Sequence, residues 1–115
     1  MSLKEGGSMS AEDAAQLLRI SVSKLLYRWR CHRLIAWQRG EAIRFPVWQF
    51  KDGKLLPGVE EVLQIFQSDD QWRIMLYFLV NRRSLAKERP LDLLRRGESV
   101  RVIKHATDYA IEDEW

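Results

Sequence analysis

The chain has 115 residues, 46% hydrophobic and 30% charged, with a net charge of +3 and a single cysteine, Cys31. That length suits one domain or two very small ones, and the balance is that of a globular protein that folds without staples. A lone cysteine excludes an internal disulfide and fits a reducing compartment. The opening MSLKEGGSMS lacks the apolar stretch of a secretory signal. The longest apolar run, Ile74 to Val80, is far below the ~20 residues that span a bilayer. The expectation is a cytoplasmic protein with no membrane partner.

Charge is unevenly spread. Arg19, Lys24, Arg28, Arg30, Arg33, Arg39 and Arg44 are opposed in their stretch only by Glu41, whereas the chain ends in Glu112-Asp113-Glu114-Trp115. A basic N-terminal half suits a polyanionic partner; a solvated basic face is the alternative.

In chain order, residues 1–9 read as a disordered leader without apolar periodicity. Ser10, with Asp13 three residues on, predicts a capped helix whose apolar stripe is Ala14, Leu17 and Leu18. Ser21 predicts the cap of a second helix, with Val22, Leu25, Leu26 and Trp29 inward and Ser23, Lys24, Tyr27, Arg28 and Arg30 on the other faces. Two short helices so spaced, the second exposing hydrogen-bonding and cationic groups from its first turn, match a helix-turn-helix. An ordinary helical hairpin with a charged outer face is the alternative.

Leu34-Ile35-Ala36-Trp37 and Ala42-Ile43-Arg44-Phe45 flank Gln38-Arg39-Gly40-Glu41, predicting a small hairpin, or wing. Pro46 then ends its ladder, because it has no amide to donate. Residues 10–50 are thus expected to form a winged helix-turn-helix. Ser21, Ser23, Lys24, Tyr27 and Arg28 are its candidate groove residues, and Arg30, Arg33, Arg39 and Arg44 its candidate phosphate ligands. In Phe45-Pro46-Val47-Trp48-Gln49-Phe50, the rings are expected to close the wing and anchor it on the helical half; a stacking platform for single strands is the other reading.

Residues 51–111 read as a helical domain. Lys51-Asp52-Gly53-Lys54 is a turn, and Val59, Val62, Leu63 and Phe66 form a helical stripe. Ser68 with Gln71 has capping-box spacing and opens a helix from Asp69 to Asn81. That helix is apolar nearly all round, which predicts a core helix with a dimer contact. Pro90 marks N1 of another helix carrying Leu91, Leu93 and Leu94 and ending at Gly97, and Val100, Ile103, Ala106 and Ala110 suggest a last one. Residues 112–115 are an acidic tail. The expected fold class is mainly α, a winged helix-turn-helix followed by a small helical bundle.

RFPVWQF, DGKLLPGVEEVL, QWRIMLYFLVN and RPLDLLRRGE together resemble the toxin-binding domain of the Xre/MbcA/ParS antitoxins, over roughly residues 44–110. Residues 10–45 are similar to an excisionase or MerR-like winged helix-turn-helix. The resemblance implies a homodimeric type II antitoxin that blocks a cognate protein toxin, often of the NAD-consuming RES type, and binds operator DNA to repress its own operon. On that reading Trp72, Met75, Tyr77, Arg95 and Arg96 face the toxin, and Glu112, Asp113, Glu114 and Trp115 enter a basic cleft on it. The alternatives are a regulator without a toxin and an adaptor without DNA affinity. The chain departs from the family at His32, Ala86 and Lys87, where glycines are usual, and at Arg89, where Thr or Ser is commoner.

Catalysis finds little footing. His32 and His105 are the only histidines, no Cys/His/carboxylate spacing suits zinc, and adjacent Cys31 and His32 point apart. Glu60-Glu61 and Asp69-Asp70 read as first-turn helix acids, and no glycine loop cradles phosphate. The expectation is no catalytic residue, no metal and no cofactor.

Overall fold

The computed structural model describes residues 6–113, without the side chains of Glu112 and Asp113. The fold is mainly α, six helices among the described residues with short antiparallel strands. Its contacts divide it into two units, the first ending at Leu55 and the second beginning at Leu56. The division falls beyond Phe50 because Phe50 and Leu55 pack on the first unit's core.

In the first unit, α1 (Ala11–Leu18) begins where Ser10 Oγ accepts the Asp13 amide at 3.1 Å. It ends at Arg19, whose φ of 59° lets the Ile20 amide reach back to the Ala15 carbonyl at 3.0 Å, a left-handed stop made without glycine. α2 (Val22–Arg30) is capped by Ser21 Oγ on the Lys24 amide at 3.1 Å. His32, at φ 60°, ends it in the same way, with the Arg33 amide bonded to the Arg28 carbonyl at 2.9 Å. Ala14, Ala15, Leu25, Leu34, Ala36 and Phe45 form the core, against which Leu18, Val22, Leu26 and Trp29 pack.

The three-stranded sheet runs β1–β3–β2: β1 (Ser8–Ser10), β2 (Trp37–Arg39) and β3 (Ala42–Pro46). Gly40 at φ 62° makes the tight β2–β3 turn. Two expectations change here. The leader does not extend to residue 9, because Ser8–Ser10 pair with Pro46–Arg44 and the Arg44 guanidinium grips Ser8, Nε to Oγ at 3.1 Å and Nη2 to the carbonyl at 2.9 Å. Leu34–Ala36 are buried but not a strand. Instead the fully buried Gln49 amide accepts the Ile35 N–H and donates to the Ile35 carbonyl, both at 2.8 Å, doing for that residue what a neighbouring strand would. A second hairpin, β4 (Phe50–Lys51) and β5 (Lys54–Leu55), turns on Asp52 and Gly53, both at positive φ.

The second unit comprises α3 (Val59–Ile65), α4 (Gln71–Leu79), a 3-10 turn (Arg83–Leu85), α5 (Pro90–Arg95) and α6 (Ser99–Asp113). α3 packs on α6, and α5 on both α4 and α6. α4 is shorter than its sequence suggests and is capped by Asp70, not Ser68: the Asp70 carboxylate accepts the Trp72 and Arg73 amides at 2.8 and 3.2 Å. On α6, Val102 and Ala106 are buried, Ile103 and Ala110 half-buried and Val100 81% exposed, so Val102 takes the inward place expected for Val100. Ala86 and Lys87 take positive φ, 56° and 66°, the left-handed region that favours glycine. Arg89 leaves its helix end without a side-chain cap and pairs with Asp92 through Nε at 2.8 Å.

Candidate nucleic-acid interface

α2 is nine residues long, about 13 Å. Leu25 anchors its inner face with no exposure, while Ser23, Tyr27 and Arg30, at i, i+4 and i+7, form an outward row. Lys24 and Arg28 form the next row, the lysine exposed and the arginine half-buried. No carboxylate interrupts the helix. Tyr27 is 62% exposed, and a hydrogen bond with Cys31 raises its phenol above the ordinary range, so it presents a neutral hydroxyl. Ser21 is placed differently from its neighbours, since its hydroxyl already accepts the helix cap.

Arg30 and Arg33 are exposed at the end of α2, and Arg39 is exposed on β2 beside the turn. Arg44 is not with them. Its position on the central strand and its two bonds to Ser8 make it a half-buried clamp on β1, unlike the exposed arginines around it.

The residues expected to meet a protein partner separate in the same manner. Met75 and Tyr77 are buried, at 5% and 2% exposure, and are corrected to core residues. Trp72 is 55% exposed and continues into Leu76 at 41% and Val80 at 43%, an i, i+4, i+8 stripe that the all-round apolar pattern concealed. Arg95 and Arg96 are exposed but held within the chain. Arg95 lies 3.7 Å from Asp92, and Arg96 reaches Glu88 at 2.7 Å and Glu98 at 3.1 Å, holding the Glu88 carboxyl below its ordinary range. The side chains of Glu112 and Asp113, and all of Glu114 and Trp115, lie outside the described residues.

No family model and no curated protein matches the chain in sequence. In structure it is similar to the NMR structure of Rv2175c, with a TM-score of 0.77 over 90% of this chain and 80% of that one, at 22% identity. A likeness at that identity establishes a shared fold.

Sequence reasoning missed Gln49, whose buried amide has no periodicity signal. It also missed a relay in the second unit. Tyr77 Oη lies 2.7 Å from His105 Nδ1, and Ser84 Oγ lies 2.7 Å from His105 Nε2. Arg82 sits 5.0 Å from the Tyr77 and Tyr109 ring centres. Ser84 and His105 are 21 residues apart, and nothing local links them. Among the described residues no helix is long and apolar enough to cross a membrane.

Proposed function

We propose that the chain is a DNA-binding transcription regulator whose first unit is a winged helix-turn-helix, with α2 entering the major groove and the β2–β3 hairpin as the wing. One observation carries the reading: α2 turns an acid-free face, with Ser23, Lys24, Tyr27 and Arg30 exposed, outward while Leu25 pins its other side in the core. Serine, lysine, tyrosine and arginine are the donors that read base edges and phosphates, and a recognition helix uses its first turns to do so. Arg39 on the wing adds a backbone contact beside the groove.

The test is a gel shift on the duplex upstream of the chain's own gene. Lys24→Ala and Arg28→Ala are expected to weaken binding to that duplex at least tenfold, roughly the loss of one charge-assisted contact. Equal binding by wild type and both variants would overturn the assignment.

A second reading adds to the first: an antitoxin of the Xre/MbcA/ParS type, cytoplasmic and homodimeric, whose second unit docks a protein toxin. The exposed stripe Trp72, Leu76, Val80 favours it, because contiguous apolar surface on a helix suits a protein partner. Co-expression with the neighbouring gene product separates the two readings. Rescue of growth that Trp72→Ala abolishes supports the antitoxin; no rescue by wild type leaves the regulator alone.

A further inference from the structure

We propose that the cleft between the Arg83–Leu85 turn and α6 binds a small phosphate monoester. The site lies wholly within the second unit, so it goes beyond the DNA reading and stands or falls without it. Its volume is about 340 Å³, within the range of small-molecule sites.

On α6, Arg101, Lys104 and His105 share one face of the helix at i, i+3 and i+4, and Asp108 and Tyr109 continue it one turn on. Ser84 and Leu85 close the opposite wall. The imidazole is held at both nitrogens, with Tyr77 Oη on Nδ1 and Ser84 Oγ on Nε2, so its Nε2 edge is fixed beside an exposed hydroxyl. Burial pushes the Tyr77 phenol well above its ordinary range, so it stays protonated and neutral behind the ring.

Four polar groups of different shape line the cleft: the Ser84 hydroxyl bonded to the His105 imidazole, the Lys104 ammonium, and the Arg101 guanidinium, whose Nη1 also lies 3.2 Å from Glu98 Oε1. A planar carboxylate is matched by a single fork, whereas donors approaching from separate side chains suit a tetrahedral anion. Tyr109 and Leu85 offer an apolar wall to an organic substituent. Asp108, at the same end, would accept from a hydroxyl or amine of that substituent and repel a continuous polyanion such as a nucleic-acid backbone. Both features favour a small ester over bare phosphate or DNA.

With Tyr77 O–H donating to Nδ1, Nε2–H donates to Ser84 Oγ, which leaves the Ser84 hydroxyl proton to donate to the bound anion.

The experiment is an amide NMR titration of the full chain with inorganic phosphate, adenosine 5′-monophosphate and sulfate, whose charge is constant near neutrality. Saturable shifts are expected at residues 84–85 and 101–109, with the nucleotide about tenfold tighter than phosphate and Lys104→Ala about tenfold weaker for each probe. Ser84→Ala should weaken sulfate about fivefold, because its hydroxyl donates to the anion. Lys104 is exposed, so its variant reads the site without disturbing the core. Non-saturating shifts, no effect of Lys104→Ala, or equal affinity for phosphate and nucleotide would overturn the proposal.

Discussion

Salt dependence gives a numerical test of which cations meet DNA. Each phosphate neutralised contributes about −0.9 to the slope of log affinity against log salt. The exposed Arg30, Arg33 and Arg39 give about −2.7 per protomer. Counting Arg44 as well would give about −3.6, but its guanidinium is engaged by Ser8. Fluorescence anisotropy on a labelled upstream duplex across a salt series measures the slope. Arg39→Ala should bring it to about −1.8. Arg44→Ala should leave it near −2.7. What Arg44→Ala loses instead is stability, about 1.5 kcal/mol for charged hydrogen bonds at a half-buried site, read from the urea midpoint. If Arg44→Ala flattens the slope as much as Arg39→Ala, the clamp argument fails.

Three further outcomes test the fold. Gln49→Leu strands the Ile35 amide and carbonyl inside the first unit and should cost about 3 kcal/mol in urea unfolding; a loss under about 1 kcal/mol would mean that the clamp is dispensable. Gly58→Ala places a Cβ 2.6 Å from Leu94 Cδ2 at φ 98°, and about 3 kcal/mol should be lost, with helical signal disappearing at lower temperature. Burial raises the Tyr77 phenol, so above about pH 10 the unfolded chain releases a proton that the folded chain keeps. That contribution is complete below about pH 10 and is lost as pH rises further. Urea midpoints should therefore fall with alkali in wild type and fall less steeply in Tyr77→Phe.

Helix starts were legible at Ser10, Ser21 and Pro90, because a cap or a first-turn proline acts locally. The Asp52-Gly53 turn was legible for the same reason. Asp70 displaced Ser68 because two competing caps lay within three residues and only packing decides between them. β1 escaped notice since Ser8-Met9-Ser10 has no strand pattern; its pairing is provided by β3 and Arg44, over thirty residues away. On α4, composition shows apolar side chains on every face but not which are covered, so neither the burial of Met75 and Tyr77 nor the exposure of Leu76 and Val80 is legible in the sequence. On α2 the outward face is easier to read, because one buried leucine sets the orientation of the whole helix.

β3 is paired along both edges and β2 along only one. A protease cut between Gly40 and Glu41 would therefore detach the outer strand and its arginine, yet leave Phe45 seated and the remaining ladder intact. Such nicked material would separate two things that point mutants blur: whether the domain stands, and whether it can hold a nucleic acid.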